Sequence, residues 1–205
     1  LIVLMSLVAE GTPQLALQLA RQWQQDGLNV EVLVMQPEPR DMQAEFQALG
    51  LPLHWVDLGN GLSRYWALLC HSYRLCRRLR ARSVMSFPLG WHAFVAIGAR
   101  LAGASRICAY VGNPPPIWTG ASFRKFKLMV QLGRPFTHRL ICCSRYLLDL
   151  TLRDFQVGPK EATVIYNSCD LDAFTSTPAP QVQPHEPPRI AMTARLEVHK
   201  DQPTL

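Results

Sequence analysis

The chain opens "LIVLMSLVAEGTPQLALQLARQWQQDGLNVEVLVM", Leu1 to Met35, and the reading of this stretch decides the fold. Residues 1–8 form an unbroken apolar run, the mark of a strand buried on both faces. They are too few to cross a bilayer and have no basic segment before them, so neither a membrane span nor a secretory leader fits. A helix follows. Thr12 suits its N-cap, Pro13 its first turn and Gly27 its stop, while Leu15, Leu19 and Trp23 recur on one face. Residues 29–35, "NVEVLVM", then read as a second strand. Strand, helix, strand within one short stretch is a crossover unit, which predicts parallel pairing.

The alternation continues down the chain. Helices are predicted over 40–50, 63–82, 91–103, 123–136 and 145–155. Strands are predicted over 52–58, 83–87, 105–111, 138–144 and 162–167. The fold class is therefore α/β, a doubly wound, Rossmann-like and mostly parallel sheet. From Thr175 to Pro188 the sequence turns proline-rich, "TSTPAPQVQPHEPP", which suits an interdomain linker or a surface loop. "RIAMTA" after it is strand-like again.

Composition narrows the classes. With 48% hydrophobic and 18% charged residues the chain is globular, not disordered or fibrous. A net charge of +6 favours phosphate-bearing partners or an anionic membrane, and fits an ordinary basic surface equally well. The six cysteines include no C-x-x-C pair and no zinc spacing, and several sit in apolar runs such as "RLICCSRY". They read as reduced thiols in a reducing compartment, hence a cytoplasmic protein. No basic-aromatic motif or recognition helix points to nucleic acid.

Open parallel sheets bind ligands beyond the carboxyl ends of their strands, so the loops there supply the candidates. Glu10-Gly11-Thr12 leads into a helix N-terminus, which favours anions; a plain strand-to-helix turn explains it equally. His92 begins a helix, where a lone histidine is catalytic or structural, and Asn113 in "GNPPP" either hydrogen-bonds a polar ligand or fixes a turn. Ser144 reads as an N-cap. Asp170 and Asp172 form either a carboxylate pair or the start of a helical turn.

Taken in order, these loops resemble a family. "VIYNSCDLDAF", a linker and then "RIAMTARLEVHKDQPTL" are similar to the domain junction of GT-B fold glycosyltransferases, above all the retaining group-1, or family-four, enzymes that use nucleotide-sugars. The matching residues are Asn167, Asp170 and Phe174, then Arg195, Leu196, Lys200 and Asp201. The opening helix and second strand resemble the family's as well. Three departures stand out. Many members place a histidine in the loop after the strand at 105–111, where this chain has "GNPPP", so that catalytic role falls to Asn113 or is vacant. The opening loop has one glycine where the family usually has two, and the family's Asn-Gly is Asn167-Ser168 here.

The resemblance implies an acceptor-side domain over residues 1–174, a linker over 175–188 and the truncated start of a donor-binding domain over 189–205. It implies sugar transfer with retention from a nucleotide-sugar to a glycan, small molecule or lipid-linked acceptor, by an enzyme of which this chain is an inactive fragment. Arg195 and Lys200 would bind the donor diphosphate, with no metal and no further cofactor required. Glu10, Gly11 and Thr12 would form an acceptor or phosphate loop. A lipid-linked acceptor would bring the enzyme to the inner face of a membrane. The rival class is a non-enzymatic module that binds a phosphorylated ligand or an anionic membrane through basic helices, motivated by "RLCRRLRAR" and "FRKFKLMV".

Overall fold

The computed structural model describes residues 1–113 and 121–168. The expected domain boundary, the proline-rich linker and the strand at 189–205 lie outside those residues, as do Asp170, Asp172, Arg195 and Lys200.

Aliphatic runs make the strands: β1 (Ile2–Leu4), β2 (Val32–Val34), β3 (Leu53–Trp55), β4 (Ser83–Ser86), β5 (Arg106–Val111), β6 (Arg139–Cys142) and β7 (Ala162–Val164). All pair in parallel, in the order β3-β2-β1-β4-β5-β6-β7. The hydrogen-bonded strands are shorter than the apolar runs predicted. Register is set by the centre: Ile2 lies between Val32 and Met85, and Val3 between Leu33 and Ser86. The sheet order reverses direction between β1 and β4, which makes that boundary the switch point.

Among the described residues six α-helices connect the strands: α1 (Gly11–Gln25), α2 (Gln43–Ala48), α3 (Ser63–Leu79), α4 (His92–Leu101), α5 (Ala121–Gly133) and α6 (Arg145–Phe155). Because side chains alternate along a strand, Ile2 and Leu4 pack under α1 and α2, whereas Val3 packs under α3 and α4. Leu140 and Cys142 continue the second face under α5 and α6.

Two details of α1 differ from expectation. Its N-cap is Glu10, in extended conformation and with no side-chain cap, so Thr12 lies inside the first turn. Its buried stripe is Pro13, Ala16, Leu17 and Ala20, with Leu15, Leu19 and Trp23 at the flank. The alanines allow the helix to approach the sheet closely, and the bulkier residues fill the margin. The stop at Gly27 is as expected, at φ +77°. Ser144 does cap α6, its Oγ accepting from Leu147 N at 3.2 Å. The described cysteines are free thiols, and burial pushes Cys76 up to about 11.

The layer α3–α4–α5 rests on two close approaches. A Cβ on Gly98 would lie 2.5 Å from the Leu69 carbonyl oxygen and 3.0 Å from Tyr73 N. A Cβ on Gly133 would lie 3.0 Å from the Ala93 Cα. In both cases the obstacle is backbone, so the neighbouring helix must move if a methyl is added. Gly98→Ala is therefore expected to lower stability by about 1–3 kcal/mol, the usual range for overpacking, despite the better helix propensity of alanine. Gly11→Ala is the control, since a Cβ there meets nothing within 4 Å. Thermal melts of both variants check this; an unchanged Gly98→Ala melt would refute the packing argument.

Candidate functional site

Three adjoining hollows run along the carboxyl edge of the sheet. The first, about 400 Å³, sits at the switch point and is lined by Met5 and Ser6 after β1, Glu10 and Thr12 at the start of α1, and Phe87 and Pro88 after β4. The loop after β1 is braced from the β2 side. Leu7 N donates to the Pro39 carbonyl at 3.2 Å, Met42 N to the Leu7 carbonyl at 2.9 Å, and Ala9 N to Asp41 Oδ2 at 3.1 Å. The structure thus brings Glu10 and Thr12 to the place where open sheets of this kind take ligands.

The second hollow, about 470 Å³, shares Met5 and Pro88 with the first and extends under α5. Ser122, Lys125, Phe126 and Met129 of α5 face it at helical spacing, opposite Gly90 and Trp91. The third, about 500 Å³, continues past Trp91 to Asp57, Gly59 and Arg64. Aromatic packing forms the wall between them: Tyr65 lies 5.2 Å from Trp91 and 4.7 Å from Phe94, ring centre to ring centre. A separate hollow of about 550 Å³ opens at the opposite edge, among Leu1, Glu31, Ser83 and Arg106 at the strand starts. That edge holds none of the candidate loops, so the carboxyl edge is the better assignment for chemistry.

The other sequence candidates fall elsewhere. His92 begins α4 but is only 3% exposed. Its Nε2 is 2.8 Å from Thr137 Oγ1, and the Thr137 hydroxyl donates its hydrogen to the Gly133 carbonyl at 2.8 Å. The imidazole must therefore be the donor, which leaves Nδ1 bare, and Nδ1 is buried without a hydrogen-bond partner. Burial pushes the His92 pKa down to about 4, so near neutral pH the ring is uncharged and holds one free lone pair. Asn113 is exposed just past the end of β5. Neither residue lines the three hollows.

Gly11 has no positive φ and open space where a side chain would go, so the backbone does not require glycine there. Asn167, from the junction motif, accepts from the Tyr110 hydroxyl at 2.8 Å and ties the segment after β7 to β5. Burial raises the Tyr110 pKa to about 12, which keeps the phenol a donor.

Sequence reasoning passed over Arg64, Tyr65 and Trp91, and met Lys125 only within the basic run "FRKFKLMV". Arg64 stands over both the Tyr65 and Trp91 rings at 5.1 Å, and Lys125 over Tyr65 at 5.9 Å. The signal available was an Arg-Tyr pair opening a predicted helix and the basic run "FRKFK" in another; neither shows that the two meet. Among the described residues no cluster of three His, Cys, Asp or Glu side chains could hold a metal, and no helix is long and apolar enough to cross a membrane.

Comparison with known proteins follows the same lines. The sequence profile described as Glycosyltransferase Family 4 matches residues 9–173. No curated protein matches the chain by sequence. Among solved structures, Anabaena HepE in complex with UDP and glucose aligns with a TM-score of 0.68 at 13% identity, covering 86% of this chain and 46% of HepE. A glycosyltransferase from Rickettsia africae gives 0.62 at 11%, covering 83% of this chain and 43% of its own. Acinetobacter baumannii MurG gives 0.55 at 14%, covering 82% and 45%. At such identities the likeness establishes the fold, and the chain spans under half the length of each of these structures.

The buried histidine gives a pH signature. Between about 6.5 and about 4 the unfolded chain binds a proton at His92 that the folded chain refuses. Stability is then complete above pH 6.5 and falls as the pH drops through that window, by up to about 3 kcal/mol. Denaturant melts from pH 7 to 4 are expected to show this loss and to show less of it in His92→Gln. An identical acid slope in the variant would remove His92 from the account.

Proposed function

The chain belongs to glycosyltransferase family 4, and from that premise we propose that it supplies the acceptor-side part of an enzyme that moves a sugar from a nucleotide-sugar to an acceptor, with retention of anomeric configuration. The observation that carries the reading is the position of Glu10 and Thr12. Together with Phe87 and Pro88 they line the hollow at the β1–β4 switch point, on a fold shared with a structure holding UDP-glucose. The acceptor then lies in the hollows beneath α5, and the donor meets it from beyond the carboxyl edge.

Arg195 and Lys200 are read as the donor contacts. A diphosphate gains charge as the sugar departs, and a guanidinium fork with an ammonium a few residues away neutralises that charge without a metal. His92 and Asn113 remain the candidates for a catalytic part on the acceptor side. For His92 that part would be played by a neutral imidazole through Nδ1.

A second reading concerns location. On α5 the exposed Arg124, Leu128 and Leu132 share one outer stripe at four-residue spacing, away from the stripe that faces the cleft. A basic and apolar helix face suits an anionic membrane, so we take the enzyme to be cytoplasmic and to meet a lipid-linked acceptor at the inner face.

Two measurements test these readings. On the intact protein, Arg195→Ala or Lys200→Ala is expected to slow kcat about a hundredfold or more, because the contact strengthens towards the transition state. Arg195→Lys recovers only part of it. Wild-type turnover in these variants, assayed with a panel of nucleotide-sugars, would rule the pair out as donor contacts. For location, co-sedimentation with phosphatidylglycerol vesicles is expected at low salt and to weaken at high salt and in Leu128→Glu/Leu132→Glu. Equal sedimentation with neutral vesicles would speak against it.

A further inference from the structure

Among the described residues, the basic residues around the aromatic wall have no carboxylate in ion-pair contact. Arg64 and Lys125 form no ion pair within 4 Å among the described residues, unlike Arg134, which is held by Glu161 at 2.7 Å. Arg64 donates from Nη2 to the Tyr65 hydroxyl at 3.4 Å, and its Nε is buried with no hydrogen-bond partner. An unanswered donor on a part-buried guanidinium is costly, and a ligand acceptor would remove that cost. The hydrogen bond from Arg64, with the Lys125 ammonium 5.9 Å from the ring centre, holds the Tyr65 hydroxyl below its ordinary pKa. Three donors from two helices therefore converge on one spot. The helix that carries Arg64 adds to the positive potential, because α3 begins at Ser63 with no side-chain cap on its first N–H groups. The carboxylate in the adjoining hollow, Asp57, is turned to its own loop, its Oδ1 accepting from Gly59 N at 2.9 Å.

What lies beside this spot is apolar. Met5, Pro88, Trp91, Phe126 and Met129 line the hollow under α5. A fork, an ammonium and a phenol suit the several oxygens of a phosphate better than the two of a carboxylate. The apolar wall suits a hydrocarbon or a ring face that can stack.

We propose that Arg64, Tyr65 and Lys125 form a phosphate site at the mouth of the apolar hollow, so that the acceptor of this enzyme is an organic phosphate whose carbon skeleton packs against Trp91, Phe126 and Met129. This deepens the acceptor reading given above and rests on it for the word acceptor. The binding site itself does not depend on sugar transfer.

The test is calorimetric titration of the 205-residue chain with geranyl phosphate, geraniol and inorganic phosphate, each below any micelle-forming concentration. Geranyl phosphate is expected to bind at least tenfold more tightly than either of the others. Lys125→Ala, an exposed position that leaves the core untouched, weakens geranyl phosphate severalfold and leaves geraniol unchanged. Arg64→Ala/Lys125→Ala weakens it tenfold or more, and Arg64→Lys recovers part, with a thermal melt confirming that each variant folds. Equal affinity for geraniol, equal affinity for inorganic phosphate, or full affinity in Lys125→Ala and in the folded double variant would overturn the proposal. So would binding to phosphatidylglycerol vesicles with none to monomeric geranyl phosphate, since that is a surface effect. Sugar transfer plays no part in the readout. A chain that binds geranyl phosphate in this way but never transfers sugar keeps the site and loses the proposed activity.

Discussion

The contact between α3 and α4 at Gly98 governs the site more than any polar interaction does. With hydrogen in place of a side chain, the α4 backbone rests against the Leu69 carbonyl and the Tyr73 amide of α3. On its other flank α4 presents Ala93 to Gly133 of α5 with equal economy. The three helices lie as one layer because small residues let backbone meet backbone. Once they do, the start of α3 and the exposed first turns of α5 have nowhere to go except over Trp91. The aromatic wall of the cleft is thus a consequence of packing well below it, and side-chain interdigitation of this density passes small shifts on to the rim.

The electrostatics divide along the same geometry. Cations that serve the fold are answered by neighbours. Arg134 is held by Glu161, which also accepts from Gly158 N, and Arg100 donates to the Ala104 and Ser105 carbonyls between α4 and β5. His92 is uncharged near neutral pH and bridges α4 to the turn after α5 through Thr137. The cations at the cleft are arranged differently. They lie over aromatic rings, which attract them without neutralising them, and this leaves their hydrogen-bonding capacity available to an anion. The net charge of +6 therefore understates how unevenly positive charge is distributed.

Much of this was legible in the sequence. Unbroken apolar runs such as Ile2–Leu4 and Val32–Val34 admit few readings other than strands buried on both faces, and the helical periods between them forced a parallel sheet. The Gly27 stop and the Ser144 cap could be read one residue at a time, because each depends on local backbone geometry. The Thr12 cap misled for the same reason. Which residue takes the extended conformation before a helix depends on where the chain leaves the sheet, and Glu10 does so because the loop is pinned to Pro39 and Asp41.

The carboxyl-edge loops could be named in advance because strand direction alone fixes which loops share an edge. That is why the sequence alone marks Glu10, Gly11 and Thr12 as candidates, and the profile match over residues 9–173 rests on the same linear information. Arg64, Tyr65, Trp91 and Lys125 could not be named together. They come from α3, the turn before α4, and α5, and each looks like an ordinary surface or amphipathic residue where it stands. The sequence by itself determined the alternation of elements, the parallel sheet and the edge that faces a ligand, since these follow from periodicity and chain direction. Only the tertiary structure decided which cations stand unanswered over which rings, because that depends on how closely two helices can approach, and Gly98 sets that distance through a contact no linear pattern records.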